Sequence, residues 1–352
     1  MKEILSHHKS SVIFTVVTLL LGFGYGIYLF GNISAALGVV FILSVLAIVE
    51  ISLSFDNAVL NAKILKDMDE FWQKMFLTWG LLIAVFGMRL VFPILIVSIA
   101  GGVSIFDAVS LAINDQNKYS ELLQSSHITI AGFGGAFLML VALDFFFDVE
   151  KDVHWVNVIE KTLSKLGERK SISIVITILS MIFIMSLLEP SDASSFFMAG
   201  IWGIVTHEIV KLIGDLIESG NSDEDKNSNL TSSVAKTGLA GFLYLELLDS
   251  TLSADGALAA LVISKDIFII AGGLAIGAMF VRSLTVQMVR SGTLNEFKYL
   301  EHGAFYAIAT LSCIMFASTI IHIPEVITAV LSISFIVAGY YSSVKENKRE
   351  SL

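Results

Sequence analysis

The sequence predicts an all-α polytopic transmembrane bundle of about ten spans, and three observations carry that prediction. Of its 352 residues 55% are hydrophobic and only 15% charged, where a soluble domain carries about a quarter charged. Several apolar runs exceed the ~18 residues that cross a bilayer. Basic residues also sort to one side once the runs are threaded through a membrane. Lipid offers the backbone no hydrogen bonds, and a helix satisfies its own within one segment.

Spans are expected at 11–30, 33–56, 75–100, 127–148, 172–189, 195–218, 235–254, 267–289, 302–321 and 324–342, each separated from the next by Pro, Asn, Gly or charge. The first follows Lys9 and is read as a retained helix, not a cleaved signal. The second runs into the acidic stretch Glu50–Ala58, and the third carries Arg89. The fourth ends at Asp144 and Asp148, which share a helix face. Asp144 is a candidate pathway residue, and Asp148 belongs at the interface. The charged stretch 149–171 reads as a short surface helix. The sixth span carries His207, Glu208, Lys211 and Asp215, spaced as pairs along one helix surface. Residues 218–236, rich in Ser, Asn, Asp and Glu, read as a flexible cytoplasmic loop. The seventh span carries a second acidic stretch, and the eighth carries Arg282.

With the N-terminus in the cytoplasm, seventeen of the 22 Lys and Arg residues face that side. Lys118 and Lys265 face the other, and Arg89, Lys211 and Arg282 fall inside spans. The positive-inside rule therefore places both termini in the cytoplasm.

Composition excludes several functions. A net charge of -10 argues against nucleic-acid binding. The single cysteine, Cys313, rules out an intrachain disulfide and a thiolate metal cluster. No Gly-x-Ser-x-Gly or His-Glu-x-x-His motif occurs, and Gly132-Phe133-Gly134-Gly135 reads as close helix packing, not a phosphate loop. The chain is expected not to be an enzyme and to hold no permanent cofactor.

The two acidic stretches match. Glu50-x-Ser52-Leu53-Ser54-x-Asp56-Asn57-Ala58 returns as Asp249-x-Thr251-Leu252-Ser253-x-Asp255-Gly256-Ala257. Lys66-Asp67 follows Asn57 by nine residues, and Lys265-Asp266 follows Gly256 by nine. Gly80 precedes Arg89 by nine, as Gly273 precedes Arg282. The repeat halves are taken as 31–148 and 235–322 of a single membrane domain. Their matched spans are offset by five, an odd number, so the copies are expected to run in opposite directions. Inverted repeats characterise secondary transporters, with the site between the halves. The bland alternative is duplication for architecture alone.

Carboxylates inside a membrane are costly and are functional candidates by default. Glu50, Asp56 and Asn57 from one copy and Asp249 and Asp255 from the other offer only oxygen, which suits hard dications such as Mn²⁺, Mg²⁺ or Ca²⁺. Ser54 and Ser253 can add hydroxyls, and Glu246 lies one turn before Asp249. Arg89 and Arg282 are the expected counter-charges, leaving an excess of two negatives over Glu50, Asp56, Asp249 and Asp255. The alternative is a set of ion pairs that only lock helices together. On a continuous helix, residues six apart lie roughly 120° from each other, so Glu50 and Asp56 converge only if the helix breaks near Ser52–Asn57. Asn57 and Gly256 are the residues suited to such breaks, since both tolerate left-handed backbone.

At these paired signatures the chain resembles the TerC family of bacterial integral membrane proteins, in its longer branch. The resemblance covers most of the membrane region, and Glu50 to Ala58 is its most specific element. It implies an exporter of manganese or another divalent metal in the bacterial inner membrane, associated with tellurium-resistance and metal-stress systems. It implies Glu50, Asp56, Asn57, Asp249 and Asp255 as the metal-pathway residues. The expected partners are the lipid bilayer, the metal ion as substrate and further copies of the chain. The alternatives are a non-transporting scaffold of a stress-response complex and an exporter of small organic solutes.

Overall fold

The computed structural model is all-α, as the sequence predicts, with fifteen α-helices, one π-helical segment and no strand among the described residues. The structure describes residues 2–350 apart from 81, 84, 85, 88–90, 150, 152, 168–170, 220–237 and 293–295. Arg89 and nearly all of the expected loop 218–236 therefore lie outside the described residues. Seven described helices are long and apolar enough to cross a membrane: Lys9–Phe30, Ile33–Leu53, His127–Phe146, Pro190–Ile213, Ile267–Arg290, Leu300–Ser318 and Ile327–Arg349. The protein is a multi-pass membrane protein. All seven fall on expected spans.

Four expected spans differ from the helices found. The span 33–56 divides at Ser54 into α2 (Ile33–Leu53) and α3 (Phe55–Asp67). The span 75–100 opens on α4 (Glu70–Met75) and a π-helical turn at Phe76–Gly80 and closes on α5 (Phe92–Gly101). The span 172–189 holds only the fourteen residues of α10 (Ile172–Met185). At 1.5 Å per residue that is roughly 21 Å, short of a hydrocarbon core of ~30 Å. The span 235–254 is longer than expected, running as α12 from Leu239 to Ile263.

The chain divides into two compact units. The first comprises Met1–Ala58, Phe76–His127 and Leu252–Gln287. Here α1 (Lys2–Phe30) ends at Gly31, whose φ of 68° is the left-handed backbone that glycine adopts without a Cβ clash. Asn32 then caps α2, its side chain accepting from the Ala35 N–H at 2.8 Å. So short a turn folds α1 and α2 into a hairpin, in which Gly26 meets Ala36 and Gly22 meets Leu43. The stretch after Gly102, unassigned to any span, forms α6 (Ile105–Asn114) and α7 (Gln116–Ser125), capped by Ser104 and Asp115. Ala108, Ala112, Tyr119 and Leu123 from these short helices enter one core with Leu43, Leu46 and Leu274. The tenancy of that core is set by α13 (Ile267–Arg290), whose Gly273 and Gly277 face Leu46 and Glu50 of α2. In lipid there is little hydrophobic drive between helices, so small residues that admit close packing decide which pairs form.

The second unit comprises Val59–Met75, Ile128–Thr251 and Met288–Leu352. Its centre is α8 (His127–Phe146), crossed by α11 (Pro190–Ser219). Gly132 sits against the Phe196 carbonyl and Gly203 against the Phe133 carbonyl, so the two backbones touch. The glycines of 132–135 serve helix packing, as the sequence suggests. Ala136, Leu140, Met181, Phe196, Ile204 and Phe316 fill the core around them, with Met181 from α10 and Phe316 from α14 (Leu300–Ser318). The last helix, α15 (Glu325–Glu350), packs on α14 through Gly303 and Gly339. The charged stretch 149–171 does form a short helix, α9 (Asn157–Leu166).

Candidate functional site

The first acidic signature straddles a helix break. α2 ends at Leu53, and Ser54 leaves the helix at φ -107° and ψ 19°. Its N–H still donates to the Glu50 carbonyl at 2.9 Å, while its hydroxyl donates to Glu50 Oε1 at 3.1 Å. α3 then starts at Phe55 with Asp56 in its first turn, where Asp56 Oδ1 accepts from the Asn57 N–H at 3.0 Å. Free amides and the helix dipole make this end positive, which favours a carboxylate there. Glu50 is 1% exposed, Asp56 2% and Asn57 1%.

The break is therefore at Ser54 and not at Asn57. Asn57 lies inside α3, its amide held by the neighbouring carboxylate. The Ser52 hydroxyl donates to the Ile48 carbonyl one turn back, at 2.8 Å.

Glu50 is positioned from α13. Gly277 lies against the Cβ and Cγ of Glu50 and near the Ala47 carbonyl. A methyl group there would occupy the space of the Glu50 stem. Gly277→Ala is expected to push α2 and α13 apart and to cost about 1–3 kcal/mol of stability, as overpacking does. Thermal unfolding in detergent checks this against Gly38→Ala, since Gly38 has open space around it. Equal melting temperatures for the two variants would contradict it. Farther along α13, Arg282 is buried with its guanidinium 4.0 Å from the Phe76 ring centroid, a cation–π contact. Ser283 is joined to Ser11 of α1 by a 2.5 Å hydrogen bond between their hydroxyls.

The second signature does not repeat the break. α12 runs unbroken from Leu239 to Ile263, through Gly256. Ser250 and Thr251 donate their hydroxyls back to the carbonyls of Glu246 and Leu247, and so are satisfied without leaving the helix. Glu246 and Asp249 are both buried on this helix. The side chains of Ser253 and Asp255 lie outside the described residues. Among the described residues, no three His, Cys, Asp or Glu side chains converge as a metal would require.

Two further polar clusters lie in the second unit. In one, Asp144 of α8 meets His207 and Lys211 of α11, with Oδ2 at 3.6 Å from His207 Nε2 and 3.7 Å from Lys211 Nζ. Ser173 of α10 donates to Asp144 Oδ1 at 2.7 Å, and His207 Nδ1 is 3.2 Å from Glu208 Oε1. The expected pairing along α11 is met in part, since Glu208 lies beside His207 and interacts electrostatically with Lys211. His207 is fully buried, and Lys211 finds its acid on another helix. The Asp215 side chain lies outside the described residues.

In the other cluster, fully buried Glu160 of α9 is 3.0 Å from His302 and 3.1 Å from Lys151. Its carboxylate also accepts from the N–H groups of Trp155 and Val156, each at 3.3 Å, closing the start of α9. Burial pushes the Glu160 carboxyl up, but His302 and Lys151 outweigh it and hold it at about 2. Burial also lowers the Lys151 ammonium, against the pull of Glu160. Beside this, Lys63 and Glu301 pair at 2.7 Å. Sequence reasoning missed Glu160 and its partner His302. The available signal was a carboxylate in the first turn of an amphipathic segment.

No curated protein and no solved structure matches the chain. A family model described as a protein of unknown function, DUF475, matches residues 55–350. That range starts at the first residue of α3 and contains Asp56, Asp144, Glu160, His207 and Asp249. It covers most of the chain, which therefore belongs to the DUF475 family.

Proposed function

We propose that this protein is a membrane transporter that exports a divalent metal cation, with Mn²⁺ the favoured substrate, in the manner of the TerC proteins its signatures resemble. The observation that carries the reading is the pair of buried carboxylates, Glu50 and Asp56, on the two sides of the Ser54 break. Broken helices are the usual way a transporter brings unwound backbone and side-chain oxygens to a membrane-embedded ion. Carboxylate, amide and hydroxyl oxygens suit hard dications, and this stretch holds no Cys or His. Glu246, Asp249 and Asp255 are the acidic residues of the second signature in the same reading. The cation is cargo, with no resident cofactor. The skewed distribution of Lys and Arg supports an inner-membrane protein with both termini in the cytoplasm.

Elemental analysis of cells with and without the protein, challenged in turn with Mn²⁺, Mg²⁺, Ca²⁺, Fe²⁺ and Zn²⁺, tests this. Expression is expected to lower intracellular manganese most. Unchanged contents for every metal would show that the protein is not a metal exporter.

A further inference from the structure

The cluster around His207 has no role in the reading above. α11 carries it within the span Pro190–Ile213, and His207 is 0% exposed. Both of its ring nitrogens face carboxylates, Nδ1 toward Glu208 at 3.2 Å and Nε2 toward Asp144 at 3.6 Å. The second distance is beyond a hydrogen bond, and among the described residues neither Nε2 nor Asp144 Oδ2 has another hydrogen-bond partner. Ser173 holds the opposite oxygen, Oδ1, and so aims Oδ2 at His207 and Lys211. The Phe137 ring packs edge-on against the imidazole at 5.7 Å between centroids. Tyr244 of α12, buried, is also within electrostatic reach of Asp144.

Formal charge decides what this arrangement favours. Asp144 and Glu208 against Lys211 leave one excess negative charge when His207 is neutral. One proton on the imidazole cancels it and lets both nitrogens donate, one to each carboxylate. Imidazole is the side chain that ordinarily changes charge between pH 5 and 8. Buried ionisable groups in membrane helices mark proton relays.

We propose that the His207–Asp144 pair is a proton-binding site that couples proton movement to transport. The proposal rests on the transport reading and adds its driving ion. The proton enters from water past Glu208 and Lys211, whose side chains are each 38% exposed, and binds an imidazole nitrogen. Its release restores the Asp144–Lys211 pair. No bond other than N–H forms or breaks.

Purified wild-type protein, His207→Gln and Asp144→Asn are compared in vesicles loaded with Mn²⁺. Two fluxes are measured: uptake driven by a pH gradient, and Mn²⁺-for-Mn²⁺ exchange with no gradient. Both variants are expected to lose gradient-driven uptake by about tenfold or more, and His207→Gln to keep exchange within about twofold. Unchanged gradient-driven uptake overturns the proposal. Equal loss of both fluxes in His207→Gln also overturns it, because the pair is then a structural lock. A wild-type protein that moves no metal refutes the transport reading, and histidine nitrogen-15 spectra in detergent then decide the proton site. Wild type is expected to show a histidine signal that gains a proton as pH falls, absent in His207→Gln and shifted in Asp144→Asn. No such signal, or one indifferent to Asp144→Asn, overturns the site.

Discussion

Asp56→Asn is expected to abolish metal export while the protein still folds and inserts. The exchange is isosteric, and the amide oxygen can still accept from the Asn57 N–H as Oδ1 does. What disappears is a negative charge that is 2% exposed at the positive end of α3. A dication loses most by that, because charge and not shape dominates its binding to oxygen ligands. Export is expected to fall by about 10- to 100-fold, the range seen when even the partners of metal ligands are removed. Glu50→Gln is expected to behave alike, and to loosen Ser54 as well, whose hydroxyl donates to the Glu50 carboxylate. Ser52→Ala is the control, its hydroxyl being spent on the Ile48 carbonyl. Manganese efflux from loaded vesicles, normalised to inserted protein, reads all three. Wild-type efflux by Asp56→Asn removes the assigned site.

Glu160→Ala is expected to destabilise the protein by about 3–5 kcal/mol, the cost of breaking a buried ion pair by removing one partner. The substitution strands Lys151, whose ammonium lies 4.0 Å from the Phe145 ring centroid, and leaves His302 without its acid. It also takes the acceptor from the amides of Trp155 and Val156. An acid dependence follows from the same geometry. The Glu160 carboxyl is held at about 2 against an ordinary 4.5. Its contribution is complete above pH 4.5, where both folded and unfolded chains carry the charge. It declines as pH falls from there toward 2, because only the unfolded chain takes up the proton. Wild-type melting temperature in detergent is expected to drop as pH falls from about 4.5 toward 2, more steeply than in Glu160→Gln. Parallel slopes for the two proteins would assign the acid sensitivity elsewhere.

Both predictions concern residues whose types were visible in the chain but whose partners were not. Asp56 stood out because an acid in an apolar run is costly, and that argument needs no structure. Its surroundings did not. The helix breaks at Ser54 and not at Asn57, and the Ser54 hydroxyl there finds the Glu50 carboxylate one turn back. The second signature leaves α12 intact, and there Thr251 bonds a carbonyl of its own helix just as its counterpart Ser52 does. Similar signatures thus took different backbones. Gly277 was read as part of no motif, although its lack of a side chain is what admits Glu50.

Hydrophobicity and length alone determined that this is an all-α multi-pass membrane protein, because the bilayer imposes both on any spanning segment. They also located the apolar helices, most of them closely. Tertiary structure alone decided which charges meet. Asp144 lies 63 residues before His207, and Glu160 lies 142 residues before His302. No periodicity links residues so far apart. Only the close crossing of glycine-bearing helices brings such side chains within reach, and the cost of leaving a charge unpaired away from water then selects the pairs.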